Sequence, residues 1–291
     1  MPSPKQKRSN KSRPSVSSDV WFIIIQELFH WALISGVAMA VMVSVGSAEQ
    51  VGGVARASFS SWGLLVTIAI ATIVLLWLIR TKVGGKIFGA LFALAIFSGV
   101  FTAISTLFGL AVAVIFVTVA ILLYYNNPRI VVFDVILSLG LAGVAASVGF
   151  GMRPVALLVA LIVLSAYDIV AVYFTGHMVK LGRALLRRKV FFAMILPERP
   201  RGLLSRIGEV GTGRDFVFLG TGDFVLPAML VSSVAAWSGL KAALPIAIGA
   251  ALGLAATHII FISQRIRKPM AALPPIAAGA ALGYVFSMLI G

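Results

Sequence analysis

Two aspartates lie inside apolar stretches of this chain, where a charged side chain is expensive. Asp168 lies in LIVLSAYDIVAVYF and Asp223 lies in FLGTGDFVLPAML. Even on a mild insertion scale, a carboxylate at membrane depth costs about 2.5–3.5 kcal/mol, so such residues mark functional sites by default. Two carboxylates that share one proton can activate water against an amide bond. The pair is therefore the first candidate for chemistry.

The composition indicates an integral membrane protein. Of the 291 residues 60% are hydrophobic and only 11% are charged, and the mean hydropathy is +1.06. Stretches of about 20 apolar residues are membrane spans, and a soluble domain of this composition would expose too much apolar surface. The chain has no cysteine and its three histidines lie far apart in sequence. We therefore expect neither a metal site nor a cofactor.

A membrane-helix window predicts an all-α, polytopic protein with about nine transmembrane helices. The expected spans are 21–46, 62–80, 86–104, 106–125, 130–150, 154–175, 217–238, 242–263 and 273–290. The long apolar run over 86–125 is divided into a third and a fourth span because of the region around Gly109. The resulting layout is a basic cytoplasmic tail at 1–20, helices 1–6 at 21–175, a cytoplasmic loop with an amphipathic segment at 176–216, and helices 7–9 at 217–291.

Lysine and arginine residues predict the orientation, because cytoplasmic loops carry an excess of them. With the N-terminus inside, only Arg56, Arg153 and Lys241 fall on outer segments, which leaves 21 of the 24 basic residues inside. We therefore expect a multi-pass protein with a cytoplasmic N-terminus and its C-terminus outside. The same distribution explains the net charge of +15 without nucleic acid as a partner.

This topology places the two aspartates at a similar depth. Asp168 lies 14 residues into a span that runs inward from Pro154, or about 21 Å along it at 1.5 Å per residue. In a core of about 30 Å, it is then about 9 Å from the cytoplasmic edge. Asp223 lies six residues into a span that starts near 217, or about 9 Å from the same edge. Antiparallel neighbouring helices could therefore bring the two carboxylates face to face.

Small residues and prolines surround these positions. Gly220 and Gly222 flank Thr221 directly before Asp223, where glycine permits close backbone approach or provides a packing notch between helices. At the start of the ninth span, Pro274 and Pro275 favour an extended stretch before them. A proline-initiated helix N-terminus is the simpler alternative there.

Together these motifs resemble the presenilin and signal peptide peptidase family of intramembrane aspartyl proteases of the GxGD type. The YD motif reads Tyr167-Asp168, the GxGD motif reads Gly220-Thr221-Gly222-Asp223, and the PAL-like turn reads Ala271-Ala272-Leu273-Pro274. The third motif departs from the family pattern, since Ala271 stands where the family has proline. The predicted cytoplasmic N-terminus matches the presenilin branch. The loop between the sixth and seventh spans is short, which makes the chain similar to a microbial, archaeal presenilin homologue.

The resemblance implies a protease that hydrolyses peptide bonds within transmembrane helices by acid–base activation of water. Asp168 and Asp223 would be catalytic, while the remaining motif residues, Tyr167, Gly220, Thr221, Gly222, Ala271, Ala272, Leu273 and Pro274, would support the active site or bind substrate. The substrates would be single-span transmembrane proteins or peptides, and the protein would act within the lipid bilayer. A homo-oligomer is one possible assembly. The alternative is a transporter or a cation or proton channel that uses the same carboxylates.

Three further features concern polar residues in predicted spans and the packing of two helices. Glu27 and His30, on adjacent turns of the first span, are expected at the membrane interface or in internal pairs. Asp134 lies near a predicted helix start, where an acid suits the helix dipole. The segments PIAIGAALG and PIAAGAALG place a GxxxG pattern at matching positions of the eighth and ninth spans, which predicts close helix packing.

Overall fold

The structure is a computed structural model. It describes residues 16–52, 66, 70, 84–176, 192–210, 215–264 and 269–290. The predicted second span and most of the predicted amphipathic segment lie outside the described residues.

The described part of the chain is mostly helical, which confirms the predicted helical fold class, whereas the count of nine spans stays a prediction. Its helices are α1 (Val16–Gly52), α2 (Gly84–Phe108), α3 (Leu110–Asn126), α4 (Ile130–Gly151), α5 (Pro154–Ile169), α6 (Thr221–Ser238), α7 (Leu240–Ser263) and α8 (Leu273–Ile290). A π-helical turn, Val170–Phe174, continues α5, and two short 3₁₀ turns, Pro200–Leu204 and Ile207–Glu209, follow the first strand.

Five of the described helical segments are long and apolar enough to cross a membrane. They are Val20–Gly46, Gly89–Phe108, Ile130–Gly151, Pro154–Phe174 and Leu240–Phe261. Two shorter apolar helices, Leu110–Asn126 and Leu273–Leu289, accompany them. Large apolar side chains cover the outside of the bundle, as at Leu282 and Phe174. Since water would oppose that exposure, these faces are suited to lipid.

Gly109 separates α2 from α3, at the point where the sequence predicts a break between two spans. Its φ is +89°, a conformation that side-chain-bearing residues rarely adopt. The chain therefore turns there without a long loop between two apolar helices.

Helices α7 and α8 pack through the predicted glycine pattern. A Cβ atom at Gly249 would collide with the carbonyl group of Gly279, and one at Gly279 would collide with that of Gly249. Gly253 and Gly283 similarly lie against the backbone of the opposite helix. Backbone contact of this kind provides van der Waals attraction that lipid cannot replace, so the GxxxG pattern explains the closeness of the two helices.

The loop between α5 and α6 contains a two-stranded antiparallel sheet. Strand β1 (Ala193–Pro197) pairs with β2 (Phe216–Gly220), with Ile195 opposite Phe218. The prediction that a helix begins near 217 is therefore wrong, because 216–220 is a strand and α6 begins at Thr221. The run FVFLG is short and apolar, and such a run does not distinguish a strand from a buried helix segment by its periodicity.

Candidate active site

Asp168 lies near the end of α5, where the helix widens into the π-helical turn Val170–Phe174. Such turns occur often at functional sites. Its Oδ2 atom accepts a hydrogen bond of 3.3 Å from the backbone N–H of Leu273, the first residue of α8. Because helix N-termini carry unpaired amides and partial positive charge, they bind carboxylates well. Asp168 thus caps a helix that is distant in sequence.

Asp223 is the third residue of α6 and follows β2 directly. Its carboxylate therefore also lies at a helix N-terminus, where the dipole stabilises negative charge. The backbone of Gly220 turns close to it and its amide interacts with the carboxylate. A Cβ atom added at Gly220 would lie 3.2 Å from Asp223 Oδ2, so a larger residue would press on the carboxylate.

The two aspartates line one cavity of about 470 Å³. They lie close enough for their charges to interact. The cavity wall is mainly apolar, which lowers the local dielectric and strengthens interactions between charges. Its lining residues are Glu27, Asp168, Glu198, Phe216, Val217, Phe218, Leu219, Gly220, Asp223, Thr257, His258, Phe261, Pro269, Met270 and Ala272. The site can therefore place a peptide beside two carboxyl groups.

Comparison with known families identifies the chain. The family model for signal-peptide peptidase and presenilin aspartyl proteases matches residues 22–291. The chain belongs to this family. It is an aspartic endopeptidase of the intramembrane type.

Solved structures support the fold of the protease. Two structures of a presenilin family intramembrane aspartate protease, in space groups C222 and P2, each superpose with a TM-score of 0.63 and 24% sequence identity. Each alignment covers 92% of the protease, and it covers 99% and 98% of the two solved chains respectively. A comparison with curated proteins gives no match.

The remaining motif residues occupy different surroundings. Gly220 and Ala272 line the cavity beside the aspartates. Tyr167 is 40% exposed and, with Thr221 and Gly222, is not among the lining residues. Of the GxGD glycines, only Gly220 therefore lines the cavity.

The PAL-like segment is non-helical only in its first half. Ala271 and Ala272 are not helical, whereas Leu273 and Pro274 already belong to the first turn of α8. This turn tolerates prolines because its amides need no partner within the helix. Both sequence interpretations therefore hold in part. An irregular segment reaches the cavity at Ala272, and a proline-containing helix N-terminus follows it.

A buried pair of polar side chains also lines the cavity, and sequence analysis did not assign it to the site. Oε1 of Glu27, on α1, lies 3.0 Å from Nδ1 of His258, on α7. Both side chains are almost fully buried. Glu27 also interacts electrostatically with Asp223. Glu27 and His258 are separated by 231 residues, so only the fold reveals their pairing.

Of the two environments expected for His30, the membrane interface or an internal pair, the structure shows an internal pair. Nδ1 of His30 lies 2.9 Å from Oγ of Ser138 on α4. Within the described residues, no three His, Cys, Asp or Glu side chains form a group that could hold a metal ion.

Proposed function

We propose that the protease hydrolyses peptide bonds within transmembrane helices, and that Asp168 and Asp223 activate the attacking water. One carboxylate, ionised, takes a proton from water, while the other, protonated, donates a hydrogen bond to the scissile carbonyl. No covalent intermediate forms. The observation that carries this proposal is that both carboxyl groups line one cavity and interact with each other.

The outer edge of β2 provides a binding surface for an unwound substrate. Residues of an antiparallel pair alternate between those whose backbone groups face the partner and those whose groups face away. Glu198 N–H bonds to Asp215 O, and Thr221 N–H bonds to Phe192 O, so these residues face the partner strand. By alternation, the backbone groups of Phe216, Phe218 and Gly220 face away from β1. A substrate strand paired with Phe218 would therefore lie along the cavity next to Asp223.

Substrate strands commonly bind in this way, since backbone hydrogen bonds give affinity and side-chain pockets give specificity. The apolar side chains of β2 that line the cavity suit the apolar side chains of a transmembrane segment. Ala272 also lines the cavity, and its small side chain leaves room for a substrate strand. We therefore assign single-span transmembrane proteins or peptides as the substrates.

The orientation completes the proposal. The excess of lysine and arginine on alternate segments supports a cytoplasmic N-terminus and an outer C-terminus. In that orientation the aspartates lie towards the cytoplasmic side of the bilayer. Cleavage would then release a product into the cytoplasm.

The direct test is incubation of the purified protein with a synthetic transmembrane peptide, followed by mass analysis of the products. We expect new product pairs whose masses sum to that of the peptide plus one water. The same preparation in liposomes would be assayed for proton and cation flux. Flux without peptide cleavage would replace the protease mechanism with transport through the same carboxylates.

A further inference from the structure

Strand β1 is buried although it lies at the edge of its sheet. Met194, Ile195 and Leu196 are fully buried, and β1 contacts both α1 and α4. An exposed or buried strand edge needs partners for its backbone groups, most of all where water is scarce. By the alternation of an antiparallel pair, the backbone groups of Ile195 and Pro197 face away from β2. Their partners therefore come from the helices.

Two buried polar side chains supply these partners. Oδ1 of Asp134, on α4, accepts a hydrogen bond of 3.1 Å from the N–H of Ile195. Nε2 of Gln26, on α1, donates a hydrogen bond of 3.1 Å to the carbonyl oxygen of Pro197. Asp134 is 1% exposed and Gln26 is 7% exposed. Proline at 197 also removes a backbone donor that would otherwise need a partner.

The placement of Asp134 is informative because a carboxyl group inside a membrane helix is costly and is seldom present without a role. Asp134 is not among the residues that line the cavity. Its side-chain contact is with the backbone of β1, one strand away from the proposed substrate edge. A role in holding that strand explains its presence.

We propose that Asp134 and Gln26 are positioning residues that fix β1 and thereby set the position and register of the substrate strand on β2. Their contacts occupy the helix-facing edge of β1, so a substrate strand can add only at the outer edge of β2. This inference rests on the proposed function, since it requires a substrate that binds as a strand. It assigns a role to residues that the two-aspartate chemistry does not use.

The experiment measures kcat, KM and product masses for one synthetic transmembrane peptide. Asp134→Leu and Gln26→Leu each remove one contact to β1. We expect each to raise KM about tenfold with kcat within about twofold, because a displaced strand weakens substrate binding more than the chemical step. We also expect cleavage to shift by one or two residues along the peptide. Amide hydrogen exchange in the segment 193–197 should become faster.

Asp134→Asn is the decisive companion variant. The asparagine side-chain oxygen still accepts a hydrogen bond from Ile195 but carries no charge, so KM and the product masses should stay as in the wild type. Ser233→Ala is a matched control, because it removes another buried hydrogen bond, from the Ser233 hydroxyl to the carbonyl of Met152. It should leave KM, product masses and exchange in β1 unchanged.

The proposal would be overturned if the two leucine variants kept the wild-type KM, product masses and hydrogen exchange. It would also be overturned if Asp134→Asn were as impaired as Asp134→Leu. If Asp134→Leu does not fold, Gln26→Leu and Asp134→Asn decide by the same readouts. The wild type and Asp223→Asn are assayed alongside. Absence of cleavage by the wild type would count against the proposed function, whereas hydrogen exchange would still report on the anchoring of β1.

Discussion

A methyl group at Gly220 tests the geometry of the site directly. A Cβ atom there would lie 3.2 Å from Asp223 Oδ2, a few tenths of an ångström closer than ordinary van der Waals contact. Gly220→Ala should therefore shift the carboxylate by that amount. Since a misplacement of about 1 Å can cost about 10²-fold in rate, a shift of a few tenths should lower kcat/KM about three- to tenfold.

Gly222→Ala provides a matched control in the same motif. Apart from its two chain neighbours and the backbone of its own helix, no heavy atom lies within 4 Å of a Cβ atom at Gly222, so the methyl group meets no other element of the protein. Alanine also restricts the unfolded chain, and the free energy of unfolding should rise by about 0.4–1 kcal/mol. Both variants are compared by kcat/KM on a transmembrane peptide and by thermal unfolding. Equal activity of the two variants would refute the proposed contact between Gly220 and the carboxylate.

Three further predictions concern the cavity. Ala272→Trp should block cleavage because the new side chain fills the cavity, whereas Ala278→Trp, at an exposed position of α8, should leave cleavage intact. Equal cleavage rates of the two variants would show that the PAL-like segment is not part of the site. His258→Leu should lower the free energy of unfolding by about 3–5 kcal/mol, because it leaves the Glu27 carboxyl group buried without its partner. Adding Glu27→Leu to the same chain should restore much of that free energy. Chemical denaturation checks this, and a double variant as unstable as the single one would contradict it. Cleavage should follow a bell-shaped pH profile, since acid protonates both catalytic carboxylates and alkali ionises both. A rate that keeps rising into alkaline pH would indicate another base.

Features that depend on local sequence could be predicted. Apolar runs of about 20 residues indicate membrane helices wherever they occur, and glycine at 109 marks a break because only glycine readily adopts a positive φ. The GxxxG pattern likewise predicts that α7 and α8 pack closely, as the contacts between Gly249 and Gly279 show. In each case the physical cause lies within a few neighbouring residues.

Features that depend on distant partners could not be predicted. Strand β2 exists because β1 pairs with it, and a run such as FVFLG is equally compatible with a buried helix start. Asp134 looks like an acid that suits a helix dipole, whereas its side chain bonds to Ile195, 61 residues away. Glu27 gives no sign in sequence that it pairs with His258 or that it lines the same cavity as the aspartates.

The most direct test of the central claim is the cleavage rate of Asp168→Asn and Asp223→Asn on a transmembrane peptide. Asparagine is nearly isosteric and neutral, so each variant should fold and retain the wild-type melting temperature within a few degrees. Since neither carboxyl group can act as both acid and base, each single variant should lose cleavage by at least about 10³-fold. Cleavage within tenfold of the wild type in either folded variant would contradict a mechanism that needs both aspartates.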